Sequence, residues 1–324
     1  MSTREPFGIG SVSVGLYLHD IPLGDALEDL FEQARQAEAA GFDGVTLSEH
    51  HAGMAGYLPS PVQVSGWLLR ELRTAWAAAC PVLLPLRPTG LVVEEVAWMG
   101  VRYPGRVGVG FAPGYAPTDF EVANADLEDR RTRFNRELPT AVRALTGQAT
   151  GPLAADPAVA ATARSPIPIV SSSAGPVAAR RAGRAGAGLI LGGFNSVDRC
   201  RELFQAYAST GGLGPRLLIR RVWVGRPPSG RMDAMGEWYR QAGADASWLD
   251  PSSSAELIAG EDAESVAARL AAVLDATGAT ALSARFYLPG VQPEVTLEQF
   301  RRFGTEVLPV LRSLWRPLAL MASS

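Results

Sequence analysis

Short runs with a two-residue alternation of apolar and polar positions recur along the chain, separated by longer runs with helical spacing. Segments 10–18, 44–48, 80–84, 107–111, 167–170, 188–191, 217–224 and 281–286 read as strands. Each precedes a helical pattern, over 24–40, 61–73, 90–102, 125–145, 175–184, 196–209, 262–276 and 297–314. Strict strand-then-helix alternation implies a parallel sheet with helices packed outside it. Eight such units in this length predict an α/β fold of the (β/α)8 TIM-barrel class, a single domain; a doubly wound open sheet is the alternative. Segments 146–166 and 225–260 are long for simple connections and read as insertions or lids, the second with an extra helix near Asp233 and a DPSSS turn.

Composition narrows the chemistry. With 324 residues, 47% hydrophobic and 19% charged, the chain can bury a substantial core. A formal net charge of −3 gives no electrostatic footprint for nucleic acid or an anionic membrane, so a small-molecule partner is expected. Lysine is absent, which excludes Schiff-base and P-loop lysine mechanisms. Two cysteines, Cys80 and Cys200, form no CxxC pair, in keeping with a reducing cytoplasm, and the N-terminal run reads as a first strand rather than a signal peptide. No unbroken apolar run is long enough for a membrane span.

Two of the three histidines stand together in GVTLSEHHAGM. Strand parity puts Val45 and Leu47 on one face and Thr46, Ser48 and His50 on the other. In a barrel the apolar face meets the helices, so His50 points into the mouth and His51 elsewhere. Only His19 is another imidazole, too few ligands for a convincing zinc site, and no metal is expected. In GVGFAPG, Pro113 stands where a dinucleotide fingerprint needs its third glycine. The stretch IPIVSSSAGPVAARRAG ends a strand, supplies three serines and opens a helix at Gly175-Pro176; it reads equally as a helix cap or as an anion site of amides and hydroxyls. LEDRRTRFNREL carries four arginines, mostly a solvated face, of which one can reach inward. Tyr17, Tyr57, Phe111, Tyr115, Phe194 and Trp223 lie near predicted strand ends, and several together would suit a flat heteroaromatic ring.

In order, AEAAGFDGVTLSEHH, PVLLPLRPTGLVVEEVAWMGVRYPGRVGVGFAPGY, RRTRFNREL, PIPIVSSSAGPVAARRAG and GEDAESVAARLAAVLDATGA resemble the luciferase-like flavin monooxygenases, relatives of the bacterial luciferase α-subunit. The resemblance runs from about Gly10 to Leu314. It implies a TIM barrel binding FMN, or in one branch a deazaflavin, at the C-terminal face. It implies that His50 is the active-site acid/base, that Arg133, Ser172, Ser173 and Gly175 hold the phosphate, and that Cys80-Pro81 is a cis peptide beneath the flavin. Ala112 and Pro113 replace the Cys-Arg pair of light-emitting members, so luminescence is not implied. The resulting expectation is a cytoplasmic, homodimeric monooxygenase. It would take reduced FMN from a separate flavin reductase and oxygenate a small, largely apolar substrate through a flavin C4a-peroxide. Deazaflavin-dependent hydride transfer is the alternative enzyme, and a flavin-binding protein without turnover the alternative outside catalysis.

Overall fold

A computed structural model describes residues 4–243 and 257–317. In chain order the elements are β1 (Val12–Gly15), α1 (Leu23–Ala39), β2 (Gly44–Leu47), α2 (Pro61–Glu71), β3 (Trp76–Leu83), α3 (Thr89–Arg102) and β4 (Val107–Ala112). Then come α4 (Pro117–Val122), α5 (Arg130–Leu145), α6 (Pro157–Ala161), β5 (Ile169–Ser172), α7 (Pro176–Ala185), β6 (Gly188–Leu191) and α8 (Val197–Ala208). The remainder is β7 (Arg216–Val224), α9 (Arg231–Gln241), β8 (Leu257–Gly260), α10 (Ala263–Thr277), β9 (Ala281–Arg285), α11 (Pro293–Arg302) and α12 (Leu308–Leu314).

All strand pairs are parallel, and β9 pairs with both β1 and β7, closing β1-β2-β3-β4-β5-β6-β7-β9 into an eight-stranded barrel. The chain is therefore a (β/α)8 TIM barrel, and the open-sheet alternative falls. The short β8 adds to the C-terminal end of β7, with Leu257 opposite Arg221. It and α9 belong to the 225–260 insertion; the DPSSS turn lies outside the described residues. The other insertion, 146–166, joins α5 to β5 at the N-terminal ends of the strands, opposite the mouth, and contains α6.

Parity sorts the core into two layers. Outward residues such as Val12, Val14, Val45, Leu47, Leu282 and Ala284 join the large cluster between barrel and helices. Inward residues make a separate plug of Phe7, Trp76, Ala78, Cys80, Val170, Ile190, Leu217 and Ala281. Trp76 is the largest side chain in that plug, 1% exposed, with Phe7 edge-on at 5.2 Å. Glycine at 44 makes room for it: a Cβ there would lie 2.0 Å from the indole. Toward the C-terminal ends the inward side chains become polar, with Ser13, Thr46 and Ser283, then Arg221 and Arg285, all buried. The barrel thus has an apolar floor and a polar, open mouth.

Candidate active site

The mouth opens into a cavity of about 780 Å³ lined by residues from the ends of many strands and by α5 and α7. At one wall stands His50, 7% exposed. Its Nδ1 lies 2.7 Å from Oδ2 of Asp119, a fully buried residue on α4. A carboxylate only accepts, so the Nδ1 proton is donated to Asp119, and Nε2 is the ring nitrogen that faces the cavity side. Nε2 lies 3.4 Å from the Tyr115 hydroxyl. Burial raises the Tyr115 pKa well above its usual value, so that hydroxyl keeps its proton. Tyr57 and Tyr115 meet the imidazole edge-on, at 4.6 and 5.3 Å between centroids. The ring is oriented on one side and open for proton exchange on the other, the arrangement of a positioned acid/base.

His51 is built into the wall. Its amide donates to the second Asp119 oxygen at 2.7 Å, and its Nε2 meets Oε1 of buried Glu49 at 3.0 Å. Oε2 of Glu49 accepts the Leu83 amide at 2.5 Å, tying the β2 loop to β3. The hydrogen bond to Glu49 raises the His51 pKa above 6.5, against partial burial. A raised folded-state value stabilises fully below the unfolded value and is lost as pH rises through the folded one. Stability of the wild type should therefore fall more steeply than that of His51→Asn as pH is raised above about 6.5. Parallel profiles in urea denaturation would mean the pair is not formed. His19 is likewise structural, held between Asp29 at 2.6 Å and Thr296 at 3.0 Å.

The opposite wall carries anion-binding groups. Ser172, Ser173, Ala174 and Gly175 lead into α7, whose first turn lines the cavity at Val177 and Ala178. Gly175 caps that helix without a side-chain bond, so no cap side chain satisfies the first-turn amides where Val177 and Ala178 line the cavity. Arg130, Arg131 and Arg181 line the same wall, with Nη1 of Arg181 donating to Asn135 Oδ1 at 2.6 Å. Gly192 and Gly193, after β6, complete it.

The expected site residues divide. His50, Pro81, Ser172, Ser173 and Gly175 line one cavity. The Cys80-Pro81 bond is cis. The Cys80 side chain turns down into the barrel plug, where burial pushes its thiol up to about 12, so it contributes backbone and not a nucleophile. Arg133 is not at the cavity: it donates to the Arg87 carbonyl at 3.2 Å. The reason is helical phase. Phe134 and Leu138 face the barrel, and on that face lie Arg130, Arg131 and Asn135, with Arg133 turned toward the neighbouring turn. The arginines that line the cavity are instead Arg130, Arg131 and Arg181. Asp119 was missed because it stands alone in sequence, 69 residues from its partner; its position in the first turn of a proline-initiated helix was the one available signal. Of the aromatics, Tyr17, Tyr57, Tyr115 and Phe194 reach the cavity, whereas Phe111 is in the outer core and Trp223 packs on Met232, Leu288 and Val291. Among the described residues no helix is long and apolar enough to cross a membrane.

Comparison with known proteins agrees with this architecture. An F420-dependent glucose-6-phosphate dehydrogenase from Kribbella flavida is 29% identical over 179 residues, which span 50% of this chain and 52% of that protein. The match thus covers about half the length of that curated relative. Monooxygenase RslO1 from Streptomyces bottropensis superposes with a TM-score of 0.75 at 19% identity, over 92% of this chain and 99% of that one. The oxygenating constituent of 3,6-diketocamphane monooxygenase from Pseudomonas putida, a type II Baeyer-Villiger enzyme in complex with FMN, does so at 0.71 and 14% identity, over 93% and 98%. At these identities the structures establish the fold alone. The sequence profile of the luciferase-like monooxygenases matches residues 10–305, and the chain belongs to that family.

Proposed function

We propose that this protein is a flavin-dependent monooxygenase that uses reduced FMN and O₂ to oxygenate a small organic substrate. One observation carries the reading: a single cavity joins an oriented histidine, His50 on Asp119, to an anion cradle at the N-terminus of α7. The residues fit a flavin mononucleotide. First-turn amides, Ser172, Ser173 and Arg181 would hold the phosphate, the aromatic mouth suits a flat ring, and Pro81 would lie beneath it. Reduced FMN, when bound, supplies the electrons for oxygen activation. The protein's own part is to orient, to exclude water behind Tyr17, Tyr57, Tyr115 and Tyr239, and to move a proton at His50 Nε2. Reduced FMN would come from a separate flavin reductase, and the working unit would be a homodimer in the cytoplasm.

A second reading, hydride transfer with F420 and no oxygen, is favoured by the Kribbella flavida relative's dependence on that coenzyme. Oxidation of FMNH₂ under ¹⁸O₂ with a panel of aromatic ketones and aldehydes separates them. Label entering a product while peroxide yield drops supports oxygenation; stoichiometric peroxide with every compound, together with reduction of F420 by an alcohol, supports hydride transfer.

The phosphate wall has its own test. Arg181→Ala should weaken FMN binding by about 1.5–3 kcal/mol, the range for hydrogen bonds to charged groups, and leave riboflavin binding unchanged. Arg133→Ala should affect neither ligand. Titrations in which Arg133 matters and Arg181 does not would restore the assignment by resemblance.

A further inference from the structure

The wall facing the phosphate cradle holds a buried guanidinium. Strand parity in β9 sends Leu282 and Ala284 outward and Ser283 and Arg285 inward. Arg285 is 3% exposed and lines the cavity. Its Nη1 donates to Thr46 Oγ1 at 2.9 Å, and the guanidinium sits over the Tyr17 ring at 5.6 Å. The neighbouring strand makes room: a Cβ at Gly15 would fall 0.9 Å from Nη1. Among the described residues no Asp or Glu forms an ion pair with Arg285. A hydroxyl and an aromatic face orient a cation without neutralising it, and an un-neutralised buried charge is costly unless a ligand completes it.

That ligand is not the cofactor phosphate on the present reading. The cradle follows β5, three strands round the barrel from β9 through β6 and β7. Between Arg285 and His50 runs an arc of rings: Tyr17 stacks on Tyr287 at 4.8 Å, Tyr57 meets Tyr17 edge-on at 5.4 Å, and His50 meets Tyr57 at 4.6 Å. Arg221, in register with Arg285 on β7, lines the same cavity with its guanidinium 5.2 Å from the Phe194 ring. We infer that Arg285 is a substrate-anchoring residue: it binds a carboxylate or comparable oxyanion at one end of a flat, unsaturated substrate whose other end lies across Tyr17 and Tyr57 toward His50. This rests on the flavin-enzyme reading only for the fate of the bound molecule; the anion site itself stands on Arg285. It narrows the expected largely apolar substrate to one that is apolar in skeleton and anionic at one end.

Calorimetric titration of the whole protein with 2-naphthoate and its neutral isostere 2-naphthamide, with and without FMN, tests this. The wild type should prefer naphthoate by about tenfold or more, as a charge-assisted hydrogen bond supplies. Arg285→Gln should abolish the preference, Arg285→Lys should keep part of it, and neither should change FMN affinity. Equal binding of the two probes by the wild type overturns the inference without needing a folded variant. So does a preference that survives in Arg285→Gln, or a loss of FMN affinity in that variant, which would assign Arg285 to the cofactor ring. A preference that depends on Arg285 in a protein that binds no FMN would sink the flavin reading and leave the anion site standing.

Discussion

Replacing Asp119 with asparagine should slow oxygen transfer by about 10²–10⁴-fold, the contribution of a positioned acid/base, so that product formed per FMNH₂ oxidised falls and hydrogen peroxide rises to match. The carboxylate accepts from His50 Nδ1 and from the His51 amide nitrogen, each at 2.7 Å. An amide in its place can keep the shape but presents a donor as readily as an acceptor, so the imidazole loses its defined tautomer. His50→Ala should cost a similar factor, and the double variant little more, because the two residues act as one unit. FMN affinity should change by less than about 1 kcal/mol, since the groups proposed to hold the phosphate lie on the opposite wall. Single-turnover product and peroxide yields measure all three variants. Additive losses would show that Asp119 acts by another route than His50, and wild-type coupling in either single variant would remove the dyad from the chemistry.

Trp76→Ala should destabilise the fold by about 3–5 kcal/mol, the cost of emptying a buried aromatic site. The indole is 1% exposed at the centre of the barrel floor, and Phe7 and the space over Gly44 are shaped to it. Closed strands cannot collapse into the void as a surface helix would, so the upper part of the range applies. The midpoint and slope of a urea transition give the value; a loss under about 1 kcal/mol would mean the floor repacks around the missing indole.

The barrel was legible because outward strand faces pack on helices and are mostly apolar, buried Arg220 on β7 being an exception, so every strand of the closed ring left a periodic trace. Parity in GVTLSEH put His50 at the mouth, where it lines the cavity, and sent His51 elsewhere without saying where; its place beside Glu49 came from the structure. What escaped was of two kinds. Pairings between distant residues carry no local signature: nothing near Asp119 points to His50, and Glu49 reads as one more charged residue until its partners at Leu83 and His51 are seen. Helix phase was the other loss. Reading a helix from 125, when α5 begins at Arg130 after α4, leaves the arginines without a fixed orientation, and the resemblance then selected Arg133 over its neighbours. Arg285, by contrast, was open to detection: an arginine at an inward position of an alternating apolar strand is a conflict that calls for a partner.

Whether the cavity takes reduced FMN for work with oxygen is decided by anaerobic titration of the protein with FMNH₂ and, in parallel, with reduced F420, followed by tryptophan fluorescence. FMNH₂ should bind more tightly by at least about tenfold, or about 1.4 kcal/mol, and Arg181→Ala should erode this binding. Tighter binding of reduced F420, with FMNH₂ unaffected by Arg181→Ala, would contradict the FMN reading and give the site to hydride transfer.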